Sequence, residues 1–205
     1  MKSLTLRASV ALTCALSLAA CGGSSGNLLL GGSIRDLFKP GLVLQNKNGP
    51  LLPIAAGATT FAFHELIGND EEFEVKIATP PTGAKCTLAN NKGKSGAFNI
   101  TSVIITCATN TYDLGGTITG LDSGSLVLVN GSDRATVTAG APGATIGFKM
   151  SQVADGAPYG VTVLTQPSGR TCSVENGVNT MGTAEVANIK VTCKPAAATL
   201  SGESL

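Results

Sequence analysis

The chain has 205 residues, with 43% hydrophobic and only 13% charged, 26 glycines, six cysteines, one histidine and no tryptophan. Charge at about half the usual quarter and abundant glycine, set among Thr- and Val-rich runs, exclude a helical bundle and predict short strands joined by turns. A formal net charge of +1 excludes a nucleic-acid binder driven by a basic surface, and a single histidine leaves little for acid–base chemistry.

Residues 1–20 have the form of a signal peptide: Lys2 and Arg7 give a positive start, and Ala8 to Leu18 form an apolar stretch too short to span a bilayer. The sequence Leu18-Ala19-Ala20-Cys21 resembles the lipobox of bacterial lipoproteins. The resemblance implies a covalent lipid on Cys21, removal of the preceding peptide and anchoring in the membrane; no other cofactor is expected. Gly22 stands where an Asp would resemble an inner-membrane retention signal, so the outer membrane is the expected destination. Without Lys2 and Arg7, 12 bases face 13 acids, a formal −1 that gives no steering toward anionic partners. Residues 21–30 read as a flexible Gly/Ser-rich tether, interrupted by Leu28-Leu29-Leu30, which suit an initial strand or a packed patch.

An internal repeat organises the remainder. Gly41-Leu-Val-Leu-Gln-Asn46 returns as Ser125-Leu-Val-Leu-Val-Asn130, 84 residues on. The segment from Val75 to Cys86 returns as Val161 to Cys172, and Val103-Ile-Ile-Thr-Cys107 as Ile189-Lys-Val-Thr-Cys193, both 86 on. Phe63 and Phe148 align at 85, so a two-residue insertion in the middle accounts for the difference. Two copies of one domain are expected, at 31–107 and 114–193, because so long a period suits whole tandem domains rather than a solenoid.

In the second copy, period-two alternation predicts strands at Gly116–Leu121, Leu126–Asn130, Ala135–Ala139, Thr145–Met150, Tyr159–Gln166, Cys172–Glu175 and Ala187–Cys193. Seven short strands with a turn about every ten residues predict an all-β fold: two small antiparallel β-sandwiches, immunoglobulin-like in the broad sense, with an open barrel as the alternative. Cys14 belongs to the signal and Cys21 to the lipid site, which leaves one pair per copy. Cys86 with Cys107 and Cys172 with Cys193 are the expected disulfides, because both pairs are separated by 21 residues. An oxidising envelope would preserve them.

Gly115-Gly-Thr-Ile-Thr-Gly-Leu121, Leu126-Val-Leu-Val-Asn130, Tyr159 to Val174 and Val186-Ala-Asn-Ile-Lys-Val-Thr-Cys193 resemble a repeat of proteobacterial surface lipoproteins, often found in tandem behind a lipobox. The resemblance implies an envelope protein and no catalytic residues. The first copy departs from the pattern, with Arg35-Asp-Leu-Phe-Lys-Pro40 replacing the glycine-rich opening and with acidic Asp70-Glu71-Glu72. Residues 194–205 form a tail in which Thr199-Leu-Ser-Gly202 echoes Thr117-Ile-Thr-Gly120, as a truncated third repeat or a closing strand.

Candidate chemistry is sparse. Alternation places Phe61 and Phe63 inward and His64 outward, so His64, whose counterpart in the second copy is Lys149, should face solvent. Asp70, Glu71, Glu72 and Glu74 lack the spacing and the glycine of a calcium loop and read as a solvated acidic face, with no metal expected. Gly115-Gly116, outside any strand–loop–helix phosphate cradle, reads as a turn. Asn99-Ile-Thr101 and Asn130-Gly-Ser132 match a glycosylation acceptor that a bacterial chain would leave unmodified.

Two functions are therefore expected in order. The first is a non-enzymatic, membrane-anchored spacer, adhesion or interaction module with a protein or glycan partner and no nucleic acid. The alternative is a small carbohydrate-active or hydrolytic enzyme using Glu65, Asp70 or Glu72. That alternative requires two carboxylates converging across a cleft.

Overall fold

A computed structural model describes residues 26–197, all of them strand, turn or loop. The signal segment, Cys21 and the echo at Thr199–Gly202 lie outside the described residues.

Each copy folds into eight strands. The first contains β1 (Leu30–Arg35), β2 (Val43–Asn46), β3 (Leu51–Pro53), β4 (Thr60–Ala62), β5 (Glu72–Thr79), β6 (Ala84–Ala89), β7 (Lys92–Lys94) and β8 (Ile100–Thr109). The second contains β9 (Thr111–Thr119), β10 (Ser125–Asn130), β11 (Asp133–Thr138), β12 (Ile146–Ala154), β13 (Pro158–Thr165), β14 (Arg170–Glu175), β15 (Val178–Thr180) and β16 (Val186–Pro195). The sheets are β4-β1-β8-β6 and β3-β2-β5-β7 in the first copy, and β12-β9-β16-β14 and β11-β10-β13-β15 in the second. The topology thus repeats strand for strand.

Two four-stranded sheets enclose one core per copy. Leu30, Ile34, Leu44, Val75, Val103 and Ile105 centre the first; Leu114, Ile118, Leu126, Leu128, Ile189 and Val191 centre the second. These inward residues alternate with exposed ones, as period-two strands require. Leu28 is buried and bridged to Ile67, so the expected tether is already packed against the fold at that point.

The expected strands of the second copy are all present, with an eighth, β15, added. All three residues of β15 are exposed, so no apolar alternation marked it. Two expectations need correction. The sandwiches are not wholly antiparallel: β1 pairs with β8, and β9 with β16, in parallel. Gly115 and Gly116 are not a turn but lie within β9, opposite β12 and β16. β16 carries a bulge between Val186 and Ile189 where Leu114 and Gly116 oppose it, and this brings the Ile189 carbonyl so close that a Cβ on Gly116 would sit 1.9 Å from it. Gly32 repeats the arrangement with the Val103 carbonyl, also at 1.9 Å. The paired glycines therefore exist for backbone approach, not chain reversal.

Disulfides join Cys86 to Cys107 and Cys172 to Cys193. In each case the cysteines face each other across an antiparallel pair, β6–β8 or β14–β16. The bond therefore staples neighbours within one sheet, whereas the antibody-domain disulfide links two sheets.

Candidate functional site

The most built polar feature lies where the copies meet. Asn110 is the single residue between β8 and β9, so the last strand of one sandwich passes almost directly into the first of the next. Its N–H donates to the Gly83 carbonyl at 2.9 Å, and its own carbonyl accepts from the Asp155 N–H at 2.9 Å. One linker residue is thus bonded to a turn of each copy.

A charge pair completes the junction. The Lys39 ammonium donates to the Asp155 carboxylate at 2.5 Å and to the Asp155 carbonyl at 2.7 Å. The two side chains are only 21% and 13% exposed, so little water competes for the pair. Gly83, at φ 72°, closes the contact: a Cβ there would lie 2.6 Å from Asp155 Oδ1. In the second copy the equivalent turn contains Gly169, with nothing within 4 Å among the described residues, although Ala196 donates to its carbonyl at the same 2.9 Å. The turn is common to both copies, and among the described residues only the first copy's turn is covered, by Asp155.

Neither Lys39 nor Asp155 stands out in the sequence as a functional residue. The available signal was the first copy's departure at 35–40, the segment that contributes Lys39.

Asn46 and Asn130, which end the repeated Leu-Val-Leu-x-Asn motif, share one role. Asn46 Oδ1 accepts the Glu74 N–H at 3.0 Å and Asn130 Oδ1 accepts the Gly160 N–H at 2.8 Å. Each fixes the opening of the long strand beside it.

The acidic residues are dispersed among structural tasks. Asp70 pairs with Lys94 at 3.6 Å and Glu74 with Lys76 at 3.1 Å. Glu71 accepts the Gly68 N–H at 2.7 Å and lies 3.8 Å from Lys47. Glu65 borders a small depression with Asn46, Leu51 and His64, while Glu72 and Glu74 border a different one with Lys92 and Lys94. His64 is exposed, and Phe61 and Phe63 are buried edge-to-face with ring centres 5.9 Å apart. Among the described residues, no group of three or more His, Cys, Asp or Glu converges as a metal site.

The outer face of the second copy contains a shallow depression of about 460 Å³ floored by Gly115, Gly116 and Gly147 and walled by Asp113, Lys149 and Glu185. Asp113 is held below its ordinary carboxylate value of 3.8, first by the Gln152 amide and then by the Lys149 charge. It belongs to a small surface network rather than to an acid–base pair.

No family model matches the sequence, and no curated protein does. Solved structures similar to the chain include a streptococcal ancillary pilin (12% identity, TM-score 0.27), of which the chain spans 62% while 82% of its own length is covered. The T-13 major pilin of Streptococcus pyogenes serotype GAS131465 is 12% identical, with TM-score 0.29 and coverage of 82% of this chain and 96% of that one. The T3.2 major pilin of serotype GAS13637 is 11% identical, with TM-score 0.30 and coverage of 82% and 97%. At these scores the likeness carries no argument about activity.

Proposed function

We propose that the protein is a lipid-anchored envelope module whose two β-sandwiches form a stiff spacer for presentation and contact, not catalysis. The modules are immunoglobulin-like in the broad sense of two packed sheets. The observation that carries this reading is the junction: one linker residue, bonded on both sides, and a Lys39–Asp155 pair that ties the copies together. A flexible binder would be joined by a longer Gly/Ser-rich linker. The lipobox resemblance supplies the anchor at Cys21 and favours the outer membrane. A protein or glycan partner suits the near-neutral chain better than a nucleic acid. Contact would be made through loops or a free sheet edge, where an extended segment can add as a strand. Dispersal of Glu65, Asp70 and Glu72 favours this reading over the hydrolytic one.

The anchor is tested by fractionating cells that produce Cys21→Ser. Release from the membrane fraction is expected; unchanged membrane association would contradict the anchor.

A further inference from the structure

Four large hydrophobic side chains of the first copy are exposed, Phe38, Leu51, Leu66 and Phe98, and the last two flank the point where the chain joins the fold. Gly26 lies against the Leu66 carbonyl, since a Cβ there would be 2.5 Å from that oxygen. Leu28 and Ile67 exchange backbone hydrogen bonds at 3.1 and 2.9 Å. On the other side the Leu29 N–H donates to Asn99 Oδ1 at 2.9 Å, and the Ile100 N–H to the Leu29 carbonyl at 2.8 Å. The incoming chain is therefore flanked by Leu66 and by the Phe98–Asn99 loop. Phe98 is 84% exposed, the highest value among the described large hydrophobic residues, and Leu66 is 47% exposed.

The second copy provides an internal comparison. Its Tyr112–Val153 pairing corresponds to Leu28–Ile67, and Leu114–Val186 to Leu30–Ile100. Counting from those pairs, the positions of Leu66 and Phe98 are occupied by Gln152 and Ala184. The end of the second copy that faces the first thus lacks the two apolar side chains. The repeat itself does not require them.

We propose that this pole of the first copy is a membrane-contacting surface, with Phe98 and Leu66 entering the lipid interface beside the tether. The inference rests on the reading of Cys21 as the anchor. Five residue steps separate Cys21 from Gly26, a span of at most about 18 Å at full extension. The lipid therefore keeps the pole next to the bilayer surface at high effective concentration. Aromatic and aliphatic side chains held there enter the boundary between headgroups and acyl chains. The neighbouring charges are of both signs, with Lys47 beside Glu71 and Lys94 beside Asp70. Apolar insertion, not attraction to anionic lipid, is thus the mode of contact, and it should withstand salt.

The absence of tryptophan permits a direct test. Mature protein carrying Phe98→Trp is coupled through the Cys21 thiol to maleimide-bearing lipid in phosphatidylethanolamine/phosphatidylglycerol vesicles with brominated acyl chains. A matched protein carries Val178→Trp, since Val178 is 75% exposed on the second copy. The reporter at 98 is expected to shift to shorter wavelength and lose most of its emission to bromine, at low and high salt alike. The reporter at 178 should do neither. Equal solvent exposure of both reporters would overturn the proposal, and so would a shift at 98 without bromine quenching, which would place the pole against a second copy of this chain rather than in lipid. Coupling supplies the tether whether or not cells lipidate Cys21, and the mass of the natural N-terminal peptide decides that question separately.

Discussion

At the scale of single residues, the structure assigns side chains to the backbone contacts they satisfy. Asp133 is an example: its carboxylate accepts the Ser151 N–H at 2.6 Å, at the bulge between Met150 and Val153 in β12. That backbone bond is the first cause of a pKa below the ordinary 3.8. Because the folded value is lowered, the contribution to stability is complete above the unfolded value and is lost as pH falls through the folded one. In an NMR titration the Ser151 amide should therefore shift with a midpoint below 3.8, and Asp133→Asn should abolish the transition. Glycine gives a sharper contrast. Gly116→Ala would drive a Cβ into the Ile189 carbonyl and should cost about 3 kcal/mol or more by denaturant unfolding. Gly147→Ala, on the neighbouring strand with nothing within 4 Å, should change stability by about 0.5 kcal/mol at most, in keeping with a tolerated surface change.

At the scale of elements, each disulfide closes a local loop with a separation of 21 residues. Replacing Cys172 and Cys193 together by Ala should lower stability by about 3 kcal/mol. Calorimetry should show the lower transition in the second copy alone if the copies unfold separately. The pairing was legible because an unchanged spacing in two copies admits a simple solution, and the strands followed from alternation such as Tyr159, Val161 and Val163. β15 was not legible, since Val178-Asn179-Thr180 is wholly exposed and is held only by its ladder to Pro158–Gly160. Nor was the strand character of Gly115, since the expected strand opened only at Gly116. Glycine pairs signal turns in most sequences, and only the bulge in β16 shows why a strand needs them here. Gly202 follows Gly116 by 86 residues, the period of the repeat. The tail's Leu200-Ser-Gly202 therefore matches Leu114-Gly-Gly116 in register better than it matches the segment ending at Gly120.

At the scale of the whole molecule, function depends on whether the sandwiches move as one body. The repeat and its period were readable from sequence, but the junction was not, because Lys39 and Asp155 are 116 residues apart and neither is repeated. Lys39→Ala should remove charge-assisted hydrogen bonds worth about 2 kcal/mol. It should loosen the copies relative to each other while leaving each core intact, which small-angle scattering would register as a broader distribution of dimensions. Whether the sandwiches form one stiff body can be read from residual dipolar couplings measured for both copies of the mature protein in one alignment medium. A stiff spacer predicts that a single alignment tensor fits the amides of residues 30–109 and 111–195 together. Two tensors of clearly different magnitude would show that the copies reorient independently and would rule out a stiff spacer.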